Sequence, residues 1–572
     1  MSRMFISEKK VNITIAFLAM IAIGSVQWSM HPFYTNDQLV MRDIASGVYT
    51  GANDGHLVYI MYLLGIVLAI LYRVCPIIPW YDFLMLSIYP ACAFLTVYQL
   101  VSRTKKLLMK SLVGAIATLL YVFIHLWFIT QNEYTVNSGI LSATAILWIL
   151  LGRYEKKRQY LPAVVCLILS LCLRKQMFLL IVPITMLAVL LSLIGKSKKA
   201  RNTQIKMVLV VIAVGAICFL IEAMAYNSLS WKEFKKYNQS RTELVDFYGF
   251  PSYEGISEEL KDAEISELQY LMLQQNIGLT PGINADKLEK VAEVSKNVYQ
   301  KNHPRWPITE ETKYNIRIEL HNLKESIVGK SLFVVLVIVM VLGIVLVIHR
   351  KVRGLLYSIA TGFVLAYMMA VICYFTAIGR YPERISYPLY YSVLVFLVGV
   401  VGLEWSAMDI RTINVKVLLR TIAIAGICAC CVAVSISAKQ TVISVKDNSK
   451  YWAEYIKEAE SIQDYCEYNN SFVYYIDGSV ANYACDYILG NTYGVQKNYI
   501  TLGYWTLGSK LFDSRCRNAG VTELYSDLLS SDNVFFIQTA NTNVIFGDDD
   551  KHEEVDSLVT PVRELRVISY AK

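Results

Sequence analysis

Long apolar runs alternate with short basic clusters through most of this chain, and two long polar stretches interrupt the pattern. A helix needs about 20 apolar residues to cross a hydrocarbon core of about 30 Å. Eleven runs reach or approach that length: 11–29, 82–102, 111–130, 137–152, 160–174, 176–195, 206–226, 331–348, 354–378, 386–404 and 416–436. They predict an all-α polytopic membrane bundle, because backbone polar groups in hydrocarbon must be bonded within their own segment. The pair 160–195 is broken only by Arg174-Lys175-Gln176, which reads as the turn of a hairpin.

Charge placement sets the threading. Basic residues collect on the cytoplasmic side of membrane proteins. Arg103–Lys106, Arg153–Arg158, Lys196–Arg201 and His349–Arg353 all fall inside if the N-terminus is cytoplasmic and the eleven runs cross. Leu57–Tyr72 is also apolar, but as a helix it would rise only about 24 Å. Counting it as a crossing would move 103–106 and most later clusters outside, so it is expected to lie at the outer face as a juxtamembrane helix. This threading predicts a multi-pass plasma-membrane protein in four parts. They are an N-terminal transmembrane module (1–226, with an external loop at 30–56 and the helix at 57–72), an external helical domain (227–330), further transmembrane helices (331–436) and an external C-terminal α/β domain (437–572).

The polar stretches support that division. In 227–330 the pattern is helical around Ser257–Leu260, Glu267–Gln275 and 286–301. The C-terminal part opens with an aromatic-rich helix, Tyr451–Tyr468. Strand-like runs at Phe472–Ile476, Val534–Gln538 and Arg566–Tyr570 then alternate with helical sequence such as Val521–Leu529, as in a small α/β module.

Composition agrees: 55% of residues are hydrophobic and 17% charged, against about a quarter charged in ordinary soluble proteins. The net charge of +8 sits in topology clusters, which gives no nucleic-acid footprint. Of twelve cysteines only Cys466, Cys485 and Cys516 lie in polar sequence, so at most one disulfide is expected there and no zinc site. The basic lead and apolar run at the N-terminus lack a small-residue cleavage site and read as a retained signal anchor.

Candidate chemistry concentrates in the first loop, Asn36-Asp37-Gln38 through Arg42-Asp43 to Ser46-Gly47, then Asn53-Asp54-Gly55-His56. Thr35 or Asn36 can cap a short helix that Gly47 ends. Asp37, in its first turn, is expected to be ionised by the helix N-terminus. Such a carboxylate can take a proton from a hydroxyl or hold a divalent cation, Mg or Mn; it can equally be a capping residue in a solvated loop. Asp43 is expected to support it from another face of the helix. Glu133 is a second acid or metal ligand unless it is merely a loop residue. His56 can orient a phosphate or hydroxyl, or be structural. Arg174, Lys175, Arg380 and Arg384 stand where cations would meet a lipid-borne phosphate at headgroup level, or anchor helix ends there. Asn238–Arg241 can reach over a substrate cleft.

The order of these features resembles the N-terminal module of GT-C glycosyltransferases, the class of the lipid A aminoarabinose transferases and protein O-mannosyltransferases. The resemblance rests on a first span, the acidic helix ending in Ser46-Gly47, a Gly/Asp turn and an apolar non-crossing helix. The aromatic entry Pro79-Trp80-Tyr81-Asp82, the second span ending in Arg103–Lys106, and Leu171–Met177 complete it over roughly residues 10–200. It implies a donor of polyprenyl-phosphate-linked sugar, a cell-envelope glycan, lipid or protein acceptor, Asp37 as general base, and Arg174 and Lys175 at the donor phosphate. Two departures stand out. Asn36-Asp37 replaces the acidic pair of many members, and Gly55-His56 replaces the Lys-Pro of the aminoarabinose transferases. The competing expectations are a flippase for a lipid-linked saccharide and a non-catalytic scaffold. Matching repeats are absent, and ionisable residues deep in the spans are scarce, both of which disfavour the flippase.

Overall fold

The structure, a computed structural model, describes residues 8–152, 157–303, 309–407, 413–481, 484–490, 498–503, 505–541 and 552–570. Its helices in chain order are α1 Glu8–Ser29, α2 Asn36–Ser46, α3 Tyr62–Val74, α4 Trp80–Val101, α5 Leu107–Thr130, α6 Tyr134–Leu151, α7 Leu161–Leu173, α8 Lys175–Leu193 and α9 Lys198–Ala225. The polar stretch adds α10 Leu229–Thr242, α11 Ser257–Asp262, α12 Glu267–Gln275, α13 Ala285–Asn302 and α14 Glu310–Glu325. Then come α15 Ile327–Ala377, α16 Glu383–Ala407 and α17 Ile413–Tyr468.

Among the described residues nine helical segments are long and apolar enough to cross a membrane. They are α1, α4, α5, α6, α8, α9, the two parts Ile327–Val345 and Val352–Ala377 of α15, and Glu383–Leu403 of α16. The protein is therefore membrane-embedded, and large apolar side chains such as Leu18, Leu108, Ile212 and Phe333 stay exposed along the bundle, as lipid contact allows. Two of the eleven expected spans stand apart. The run at 160–174 forms the 13-residue α7, about 20 Å long, too short by itself for the hydrocarbon core. The run at 416–436 lies inside α17, and most of its side chains fall outside the described residues.

The first crossing fixes the geometry of the site. Ala16 and Ala19 of α1 pack with Val97 and Val101 of α4, while Gly24 faces Pro90, so the two helices are antiparallel. The end of α1 and the start of α4 therefore share one end of the bundle, here the loop end. The intervening α3 is 13 residues long and is tied down there. Its Tyr62 N–H donates to Glu222 at 2.7 Å near the end of α9, and Tyr72 Oη accepts from Tyr81 N–H at 3.0 Å. Helix begins five residues later than the apolar run suggested, because Val58 takes a φ of 61° and the preceding segment turns.

α15 folds back on itself between its two spans. It follows α14, whose Glu319 accepts from the Tyr390 hydroxyl near the start of α16, and just past its end Arg380 pairs with Asp246 at the loop end. Midway, Arg353 lies against Gly195 at the opposite end. The clusters 103–106 and 196–201 share that far end with Arg353; 153–156 lie outside the described residues.

α6 is the central post, with all of its residues buried. Its fit against α16 depends on small residues: a Cβ on Gly139 would overlap Pro388, and one on Gly399 would overlap Leu150. Gly139→Leu is accordingly expected to destabilise the purified protein by at least about 2 kcal/mol through overpacking. Thermal melting in detergent checks this, with the lipid-facing Leu209→Ala as a control that should shift little.

Beyond α17 the chain forms a five-stranded sheet in the order β4-β2-β5-β7-β6, from β2 Val473–Ile476, β4 Tyr499–Thr501, β5 Val534–Thr539, β6 Glu553–Val559 and β7 Glu564–Ser569. The pairs of β2 with β4 and β5 are parallel, and those of β7 with β5 and β6 antiparallel. A separate ladder matters more for the site. β1, Phe33–Thr35 of the first loop, pairs antiparallel with β3, Cys485–Tyr487. The described cysteines are free thiols, Cys485 and Cys516 among them.

Candidate functional site

α2 starts where β1 ends. Thr35 occupies the N-cap position without a side-chain cap bond, and Asn36 Oδ1 instead accepts from Asp37 N–H at 2.6 Å. Gly47 ends the helix at φ 86°, a left-handed conformation that suits glycine. Asp37 thus sits in the first turn and lines a cavity of about 620 Å³ at the loop end.

Four arginines line the same cavity. Arg174 lies between α7 and α8 with an extended backbone, φ −155°, so neither helix absorbs its side chain. Its guanidinium lies over Tyr59 at 4.9 Å and Tyr134 at 5.4 Å, and its buried Nη1 has no hydrogen-bond partner. Arg384, in the first turn of α16, also makes no hydrogen bond or close ion pair among the described residues. Arg241, at the end of α10, is held by Asn238 Oδ1 at 3.1 Å. Arg380 pairs with Asp246 at 3.1 Å and lies over Phe247.

Asp37 has no such partner: its carboxylate makes no hydrogen bond or close ion pair among the described residues. Burial raises its pKa above the usual carboxylate value, and the charges of Arg384, Arg174 and Arg241 oppose that rise. Desolvation is the largest influence, and the surrounding cations oppose it by favouring the anion.

A second, smaller cavity of about 220 Å³ touches Asp37 and Arg384 from the other side and is lined also by Glu133 and Trp127. Glu133 is the N-cap of α6. It accepts from Val136 N–H at 2.9 Å and from the Thr135 hydroxyl at 3.0 Å, and burial pushes its carboxyl up. Its oxygens are engaged in shaping the helix start.

Three sequence candidates fall elsewhere. Lys175 turns away from the cavity to Glu222, 3.6 Å distant, because one step along the chain from Arg174 already begins α8 and rotates the side chain off that face. His56 bonds Asp54 at 2.6 Å and the Ala225 carbonyl at 3.3 Å, and stacks on Trp231 at 4.6 Å. It pins the first loop to the end of α9. Asp43 pairs with Arg42 at 3.1 Å, and Arg42 reaches on to Asp486 at 2.9 Å. That triad locks α2 to the C-terminal region. Tyr59, Tyr134, Asp246 and Trp505 line the cavity without having stood out in the sequence. Tyr59 lies in an apolar run, where an interfacial tyrosine is ordinary. Trp505 stands between two positive-φ glycines, 503 and 508, which mark a tight loop but not what it touches.

No protein-family model matches this chain, and no curated protein or solved structure matches it either. The chemistry must be read from the cavity itself. Four guanidiniums face two carboxylates there, a set suited to an anion of more than one charge. It does not suit a divalent cation. Among the described residues no three His, Cys, Asp or Glu side chains gather as a metal site, and the acid that would anchor one faces cations. Asp37, whose carboxylate has no close partner among the described residues, is placed to accept a proton beside those guanidiniums.

Proposed function

We propose that the chain is an integral-membrane glycosyltransferase that moves a sugar from a polyprenyl-phosphate donor to a hydroxyl acceptor. One observation carries the reading: among the described residues, a half-buried carboxylate without a partner and an arginine with an unsatisfied nitrogen line one cavity at one end of a membrane bundle. A phosphate on a lipid tail meets cations at that depth, and the apolar Met177, Leu180, Phe375 and Ile378 on α8 and near the end of α15 continue the wall toward lipid. With the basic clusters at the far end cytoplasmic, the cavity belongs to the outer face of the plasma membrane.

In the reaction Asp37 takes the acceptor hydroxyl proton as that oxygen attacks the anomeric carbon. The bond from that carbon to the phosphate oxygen breaks, and its electrons leave on the polyprenyl phosphate. Arg174 and Arg384 stabilise the charge gathering there, which is where fixed cations lower a barrier most. Attack opposite the leaving group inverts the anomeric centre. The smaller cavity, sharing Asp37 and Arg384, takes the acceptor.

The test is transfer by the purified protein in lipid nanodiscs, using labelled polyprenyl-phosphate hexoses and cell-envelope extract as acceptor. Labelled product forms if the reading holds; movement of the lipid across vesicles without transfer contradicts it. The adjacent basic pair separates position from charge. Arg174→Gln is expected to lower kcat/KM by about 100-fold or more, whereas Lys175→Gln should stay within about threefold.

A further inference from the structure

The C-terminal region does more than clamp the first loop: it places one side chain in the wall of the large cavity. We propose that Trp505 is the residue that recognises the donor's sugar, so that the sheet domain, and not the bundle, sets sugar specificity. This rests on the glycosyltransferase reading and goes beyond it in assigning the sugar subsite.

Trp505 lines the large cavity yet is only 2% exposed, and its indole Nε1 has no hydrogen-bond partner among the described residues. A buried indole N–H ordinarily finds an acceptor. Its ring meets Tyr59 edge-on at 5.2 Å, and Tyr59 is the ring over which Arg174 lies at 4.9 Å. Two donors without acceptors among the described residues therefore flank one tyrosine, and the indole centre and the guanidinium carbon are no farther apart than those two distances combined. A hexose phosphate can bridge a gap within that limit, with the phosphate on Arg174 and the ring on Trp505. An indole offers a sugar both an apolar face for its C–H groups and an N–H for a hydroxyl oxygen.

The loop that carries Trp505 is braced as a recognition element needs to be. Thr506 Oγ1 bonds the Tyr49 hydroxyl at 2.9 Å, joining the loop to the first loop of the chain. Leu507 packs so close to Gly278 that a Cβ there would collide with it. Gly508, at φ 74°, faces the ring of Tyr237 on α10. Three separate parts of the chain brace the loop that carries the indole. Trp505 does not line the smaller cavity, which assigns it to the donor and not the acceptor.

The experiment measures binding of polyprenyl phosphate and of polyprenyl-phosphate glucose, galactose and mannose to the full-length protein in nanodiscs. The wild type should bind at least one hexosyl lipid about tenfold tighter than the bare lipid, and Trp505→Ala should bring that preference to within about twofold. The affinity of Trp505→Ala for bare polyprenyl phosphate should stay unchanged, whereas Arg174→Gln should weaken both lipids and keep their ratio. Trp505→Phe retains a ring without the N–H and serves if the alanine variant does not fold; it should lose at least about threefold of the preference. A preference that survives both Trp505 variants, or an equal loss for both lipids, overturns the assignment while leaving the enzyme reading intact. A wild type that binds none of these lipids overturns both.

Discussion

Asp37→Asn is expected to lower kcat by about 10²–10⁴-fold, the usual contribution of a general base, with donor affinity preserved. The amide keeps the size of the carboxylate and cannot take the acceptor proton. Since the Asp37 carboxylate makes no hydrogen bond or close ion pair among the described residues, the substitution removes no structural contact seen there, and melting should change little. Donor binding should hold or tighten, because a negative charge beside the incoming phosphate is lost. A scaffold or flippase would keep its function in this variant. Single-turnover transfer together with equilibrium donor binding separates the two readings.

Arg384→Gln should show a double effect that no purely structural arginine would give. Arg384 lines both cavities and is the largest of the charges opposing the burial of Asp37. Its loss should cost about 10²–10³-fold in kcat through the leaving phosphate. The pH profile should move as well. The base works as the anion, so the rate falls as pH drops through the pKa of Asp37. Burial already sets that limb above the value of an exposed aspartate, and removing Arg384 raises it again. The acid limb of kcat should therefore shift to higher pH in Arg384→Gln. In Arg380→Gln it should stay near its wild-type position, because the guanidinium lost there is the one committed to Asp246. An unmoved limb in Arg384→Gln would separate Arg384 from the base.

What the sequence reveals about this molecule divides by range. Apolar runs announce the helices of the bundle because lipid imposes one local rule on every crossing segment. The hairpin at Arg174 is legible for the same reason: a charge between two apolar runs has to lie near an end. The strands at 473–476, 534–539 and 564–569 were legible from their β-branched and aromatic runs. Those at 499–501 and 553–559 were not, since the first is only three residues long and the second is mostly polar and exposed. Residues that matter through distant partners were the least legible. Lys175 looks equivalent to Arg174 until α8 sets its direction. His56 reads as either a phosphate or hydroxyl contact or a structural residue until Ala225 and Trp231 are seen around it. Trp505 meets Tyr59 across more than four hundred positions, and the Arg42–Asp486 pair spans a similar separation; no local pattern encodes either.

The most direct test of the account asks where the lipid phosphate rests. A polyprenyl-phosphate hexose carrying a photoreactive group on its first isoprene should, on irradiation in nanodiscs, label peptides containing 174–180 and 375–385. An excess of the unmodified donor should compete that labelling away. Labelling confined to other helices, or labelling that the unmodified donor does not reduce, would contradict a site built from Asp37 and its arginines.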